Sequence, residues 1–190
     1  MIISKLEFQP VTIENWKDFE MLFGKRGACG GCWCMWSRLK RSEFEKQKGE
    51  VNKRAMKKLV RGGTVPGILA YSDNIPIGWC SVAPREHFSA LDRSRILKPV
   101  DDKKVWSIVC LFVNKEYRKI GVSAALIKAA VKYARKNKAK IIEAYPVEPR
   151  KKVIPDVFAY HGLSSAYKKA CFKEVARRSE TRPIMRKFIR

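Results

Sequence analysis

The stretch Val105-Trp106-Ser107-Ile108-Val109-Cys110-Leu111-Phe112-Val113-Asn114-Lys115-Glu116-Tyr117-Arg118-Lys119-Ile120-Gly121-Val122-Ser123 decides how this chain folds. Residues 105–113 form an apolar run dense in β-branched and aromatic side chains, which suits a central strand covered on both faces. From Val122 to about Asn137 the apolar residues Val122, Leu126, Ala129, Ala130 and Tyr133 recur at helical spacing. Lys and Arg fill the opposite face and the last turn, where they complement the helix dipole. A buried strand, a turn centred on Gly121 and a helix that follows at once aim successive backbone N–H groups into one space. An anion such as a phosphate is held there without a committed side-chain charge. Gly121 permits close approach, and Arg118 and Lys119 add charge, Arg in a fork-like contact.

Upstream, Gly67–Tyr71 and Ile77–Val82 are short apolar runs joined by Ser72-Asp73-Asn74-Ile75-Pro76, which predicts an antiparallel hairpin closed by Pro84. Before it, residues 4–11 alternate as an entry strand. Thr12 is placed to cap a helix carrying Ile13, Trp16, Phe19 and Phe23. After the glycine-rich break at 27–32, the capping-box pattern Ser42-x-x-Glu45 predicts a second helix with Phe44, Val51, Ala55 and Leu59 on one face, ending at Gly62-Gly63. Downstream, Lys140–Tyr145 reads as a strand, Pro146–Asp156 as a loop, Ser164–Ala170 as a short helix, and the remainder as one or two strands. Residues 1–190 therefore read as a single α/β domain of the α+β type.

No segment approaches the roughly 20 uninterrupted apolar residues of a membrane-spanning helix, and the N-terminus lacks a secretory pattern. A soluble, cytoplasmic protein without a membrane partner is expected. Its six cysteines then read as reduced thiols. The 41 Lys and Arg against 18 Asp and Glu give a net charge of +23, which attracts polyanions: nucleic acid, an acidic substrate or a phosphorylated cofactor.

The stretch Leu111–Ser123 resembles the acetyl-CoA signature of the GNAT N-acetyltransferase superfamily, Arg or Gln, two residues, Gly, one residue, then Gly or Ala; Ser123 stands at the last position. Tyr167-Lys168-Lys169-Ala170-Cys171-Phe172 is similar to the superfamily's Tyr-x-x-x-Gly-Phe segment, with Cys171 for the glycine. The likeness covers about residues 67–176. It implies a GNAT-like mixed, mainly antiparallel central sheet flanked by helices, with the fourth and fifth strands splayed around the pantetheine arm of acetyl-CoA. By the same likeness Leu111, Phe112 and Val113 follow that arm, and Arg118, Lys119, Ile120, Gly121, Val122, Ser123 and Ala124 hold the pyrophosphate. Tyr167 would be the acid toward the coenzyme A sulfur, and the acetyl group would pass directly to a primary amine. A homodimer is a superfamily-level expectation. Cys-Gly-Gly-Cys-Trp-Cys, Glu-Ala-Tyr-Pro and Arg-Pro-Ile-Met also resemble an uncharacterised subgroup, which supplies no substrate.

Attack requires a neutral amine, and a lysine-like amine has an ordinary pKa near ~10.4. Glu143, in the predicted fifth strand, is the first candidate base, His87 the second and an ordered water the third. The segment Cys29-Gly30-Gly31-Cys32-Trp33-Cys34-Met35-Trp36 invites a metal reading, yet structural zinc takes four ligands at paired spacings, so no metal is expected. Instead Trp33 and Trp36 would wall the acceptor pocket, with core packing as the alternative. The expected acceptor is a small-molecule or protein amine, with an alcohol also open. Two rival readings are a basic nucleic-acid-binding module, from the clusters at 132–140 and 177–190, and an inactive acyl-CoA-binding sensor; no nucleic-acid recognition motif gives the charge a geometry.

Overall fold

The computed structural model describes residues 5–150, 155 and 159–189, so the predicted loop 146–156 lies partly outside it. The chain runs β1 (Glu7–Pro10), α1 (Trp16–Phe23), α2 (Arg41–Gln47), α3 (Glu50–Arg61), β2 (Gly67–Ser72), β3 (Ile75–Pro84), α4 (Ser89–Asp92), β4 (Trp106–Val113), α5 (Val122–Lys136), β5 (Ile141–Ala144), α6 (Ser164–Lys169), β6 (Lys173–Arg177) and β7 (Pro183–Phe188). Seven strands form one sheet in the order β1-β2-β3-β4-β5-β7-β6. Every pair is antiparallel except β4–β5, which gives the mixed, mainly antiparallel architecture.

The β2–β3 hairpin closes through Asp73 and Asn74, both at positive φ (50° and 63°). Two left-handed residues match the twist of the flanking strands, so the connection needs only two residues and not the five that composition suggested. One face of the sheet receives α5, whose Leu126, Ile127 and Ala130 pack on Ile68, Ala70 and Ile77. The other face receives α1, α3 and the Trp33 segment, where Phe19, Phe23, Met56, Leu69 and Trp79 form a second core. No helix among the described residues is long and apolar enough to cross a membrane.

The helix predicted from Ser42 is two helices. Its start lies earlier, with the Glu43 carboxylate accepting the Lys40 N–H at 3.2 Å, and the chain breaks at Gly49, whose φ is +86°. The break resets the helical phase. In α3 the buried residues are Asn52, Met56 and Val60, while Val51 faces outward.

Strands β4 and β5 pair only at Trp106–Ile142, Ser107–Glu143 and Ile108–Ala144. Beyond that Pro146 can donate no ladder hydrogen bond, and the strands part. Val147 bridges Leu163 instead, and the Leu111 N–H donates to the Tyr160 carbonyl at 2.6 Å. The chain's own segment Ala159–Leu163 thus follows the open edge of β4.

Candidate active site

The parted strands open on a cavity of about 970 Å³. Its walls are the turn at 118–124, the β4 edge from Val109 to Val113, the 159–166 segment, and Cys29, Cys32, Cys34, Trp36 and Ser37 at the far end. In the turn, Lys119 has φ 64° and Gly121 φ 94°. Gly121 is the N-cap of α5 and carries no side chain to satisfy the first helical N–H groups, and the first turn holds no acidic residue. Those donors and the positive helix end are left for an anion. Arg118 Nε donates to the Val113 carbonyl at 3.0 Å, which ties the turn to the end of β4. Ile120 is exposed and not part of the wall; Arg118, Lys119, Gly121, Val122, Ser123 and Ala124 are.

Because the Leu111 N–H points into the gap, strand alternation turns the Val113 main-chain groups the same way and those of Phe112 toward β3, opposite Trp79. With the Leu111 N–H taken by the Tyr160 carbonyl, Val113 is the residue whose main chain is placed to meet an extended ligand along this edge, and Phe112 contributes its ring, which packs 5.6 Å from Phe23 and reaches the wall.

The structure does not bring the expected proton-handling residues together. Glu143 is fully buried on β5 and absent from the cavity wall. Its carboxylate accepts from Arg85 Nη1 at 3.2 Å, Arg186 Nε at 2.6 Å and the Tyr145 hydroxyl at 2.6 Å. Ser107 and Arg85 in turn meet the Tyr145 hydroxyl at 2.9 and 2.6 Å. A carboxylate enclosed by two guanidinium groups and a phenol is an internal counter-ion with no path to an acceptor amine, which corrects the base assignment. His87 is exposed, outside the wall, and held below the usual histidine range by partial burial and by nearby Arg38. Trp33 is a core residue stacked on Phe23 at 5.6 Å, whereas Trp36 does line the cavity, edge-on to Phe44.

Tyr167 is fully buried, and its hydroxyl donates to the His161 carbonyl at 3.0 Å. Gly162, at φ +78°, lies so close that a Cβ there would meet Tyr167 Cε2 at 2.9 Å and Leu111 at 2.7 Å. The glycine stands between the phenol and the cavity. A positioned general acid would cost about 10²–10⁴ in turnover when removed; this geometry predicts less. Tyr167→Phe is expected to lose about 1–2 kcal/mol of stability, the usual result of leaving a buried carbonyl unpaired, and to keep turnover within about tenfold. Steady-state kinetics with matched thermal melts check it.

Sequence reasoning missed His161 and the place of Cys34 and Cys110 on one cavity wall. His161 is buried, its Nδ1 has no partner, and burial with the nearby Arg182 charge pushes it down to about 3, so it is neutral. Cys34 of the cysteine segment and Cys110 of β4 both line the cavity. Trp33 and Cys34 both lie at positive φ, 43° and 57°, a conformation that costs a non-glycine residue about 1–2 kcal/mol. Among the described residues no group of three or more His, Cys, Asp or Glu could hold a metal ion, and no Asp, Glu or His side chain lines the cavity.

A sheet parted beside an open helix N-terminus, with one cavity touching both, makes a site for an extended anionic ligand. The chain belongs to the acetyltransferase (GNAT) family, whose model matches residues 33–155. No curated protein matches it. Among solved structures it is similar to the PaiA N-acetyltransferase of Thermoplasma acidophilum in complex with coenzyme A, at 16% identity and a TM-score of 0.54 over 98% of this chain and 100% of that one. A GNAT-family acetyltransferase of Listeria monocytogenes gives 11% identity and 0.58 over 97% and 95%. The NatC complex bound to Gag peptide and CoA gives 12% and 0.55 over 98% and 100%. At these identities the likeness is one of fold.

Proposed function

We propose that this protein transfers an acetyl group from acetyl-CoA to a primary amine. The observation that carries the reading is the uncapped, glycine-opened start of α5 on the same cavity as the parted edge of β4. The residues present fit the co-substrate. The α5 N-terminus with Arg118 and Lys119 suits a pyrophosphate, the Leu111–Val113 edge suits an extended amide-bearing arm, and the far end, with Trp36 and Phe112, suits an apolar acyl group beside an acceptor. The coenzyme A named with the Thermoplasma and NatC structures supports the same reading.

Two measurements test it. Acetyl-CoA is expected to raise the melting temperature by several degrees, as a ligand at about 100 times its Kd adds about 2.7 kcal/mol, while adenosine raises it far less because it lacks both the pyrophosphate and the arm. Equal shifts would contradict the site. A panel of amines with acetyl-CoA, followed by free thiol release, then identifies the acceptor class; binding without thiol release for any amine would favour an acyl-CoA sensor.

A further inference from the structure

Arg182 closes the turn from β6 to β7 and lines the cavity. Its backbone is fixed: the Arg182 N–H donates to the Ser179 carbonyl at 3.2 Å, and the adjoining Thr181 carbonyl accepts the Glu148 N–H at 2.9 Å. Two residues on, Ile184 shares a core with Val109 and Tyr145. That sets Arg182 at the Val109 end of the open β4 edge, whereas the turn at 118–124 follows the Val113 end. The guanidinium has a buried Nη1 without a partner. Among the described residues no carboxylate pairs with Arg182. The acidic residues beside it are committed elsewhere, Glu180 to Arg150 and Glu148 to Lys168 and Arg177. His161 is neutral and burial pushes the Tyr160 phenol up, so neither supplies a negative charge. The other cations of the wall are placed differently: Arg118 and Lys119 belong to the phosphate-binding turn, Lys169 to α6 against α5, and Lys48 pairs with Glu45. A partly covered cation without a counter-ion calls for an anion, and the guanidinium fork matches a carboxylate. One unmatched cation balances a carboxylate and not the charge of about −1.5 to −2 on a phosphate monoester.

We propose that the acceptor is an amine that also carries a carboxylate, an α-amino acid with an apolar side chain, and that Arg182 selects it. The proposal rests on reading the cavity as an acyl-CoA site. The acceptor's carboxylate meets the Arg182 fork, its side chain lies against the aromatic wall of Trp36 and Phe112, and its amine faces the thioester on the β4 edge. The neutral amine attacks the thioester carbonyl carbon directly. The C–N bond forms, the C–S bond to coenzyme A breaks, the sulfur keeps the electron pair, and the proton shed by nitrogen leaves to water. Arg182 touches neither reacting atom; it sets which amine arrives. A polyamine or a lysine-rich peptide is poorly matched, because its further ammonium groups find no Asp, Glu or His on the wall and approach an uncompensated cation.

The test uses the full-length protein, acetyl-CoA and amines that share a skeleton: phenylalanine, phenylalaninamide and phenethylamine, then leucine and leucinamide, with spermidine as a polycation. Free thiol is followed. The expected result is a kcat/KM for each acid about 100-fold or more above that of its carboxamide, the scale set by leaving one member of a desolvated charge pair alone. Amine basicity works against this outcome, because the carboxamide's amine gives up its proton more readily, so the preference reports the carboxylate. Arg182→Gln should abolish the preference, chiefly through KM, and keep the acetyl-CoA melting shift; Arg182→Lys should recover part of it. Turnover of phenethylamine or spermidine equal to that of the acids overturns the proposal and spares transfer to amines. A folded Arg182→Gln that loses the acetyl-CoA shift assigns the residue to the co-substrate and overturns it too. A shift without thiol release from any amine overturns acetyl transfer and the proposal together, and no shift in the unaltered protein overturns the site reading as well. If Arg182→Gln fails to fold, the order of acid, carboxamide and decarboxylated amine with the unaltered protein decides alone.

Discussion

Replacing Glu143 by Gln is expected to lower the melting temperature by roughly 6–20 °C. The carboxylate neutralises Arg85 and Arg186, whose side chains are only 11% and 4% exposed, and it is itself inaccessible. Removing one member of a buried ion cluster leaves charge uncompensated in a poorly solvating medium, which costs about 3–5 kcal/mol. A domain of this size loses about 2–4 °C per kcal/mol. Asp92 and Asp101 reach the outer sides of the two guanidinium groups at 3.2 and 2.7 Å, so the loss falls short of two fully bare cations. A general base would behave otherwise: Glu143→Gln would melt normally, lose turnover at neutral pH, and recover as rising pH strips the amine of its proton. Melts and a pH–rate profile on the same sample separate the outcomes; an unchanged melt with a pH-rescued rate would restore Glu143 to the chemistry.

Gly121→Glu is expected to weaken acetyl-CoA binding by about 100- to 1000-fold. The first cause is electrostatic: a carboxylate about 4 Å from a phosphate is opposed by about 4 kcal/mol at the effective dielectric of a protein surface, reduced by salt. The second is conformational, since φ is 94° at this residue and a side chain there is strained. Space is not the obstacle, because a Cβ would meet nothing within 4 Å. Gly121→Ala, which shares the strain and lacks the charge, should therefore lose much less affinity. Titration calorimetry of the two variants apportions the effect, and equal losses would mean that backbone shape, not the anion, governs the turn.

The elements around the site were legible because local rules set them. The β4 run, the α5 stripe and the glycine between them each carry a short-range signal, and the hairpin is announced by Asp73 and Asn74. Gly49 was present in the sequence as a breaker, yet the apolar pattern ran across it, so the one-residue change of phase at Val51 and Asn52 could not be seen. Glu143 was misread for two reasons. A strand covered on both faces has no alternation to say which way a carboxylate points, and its partners Arg85 and Arg186 lie 58 and 43 residues away among 41 cationic side chains. The same non-locality hid Cys110 from the cysteine segment, since only the fold carries Cys34 to β4. Tyr167 was located correctly on its helix, but the approach of Gly162, from a segment without a pattern of its own, decides what its hydroxyl can reach.

The placement of β7 between β5 and β6 constrains how the polypeptide can be completed as it is synthesised. Both neighbours emerge from the ribosome before residues 183–188, so until these arrive the inner edge of each carries unpaired main-chain donors and acceptors, and Arg186 has not yet reached Glu143. A chain whose residues 183–188 are not yet in place exposes two sheet edges and a half-neutralised internal anion, the combination that favours pairing with other chains.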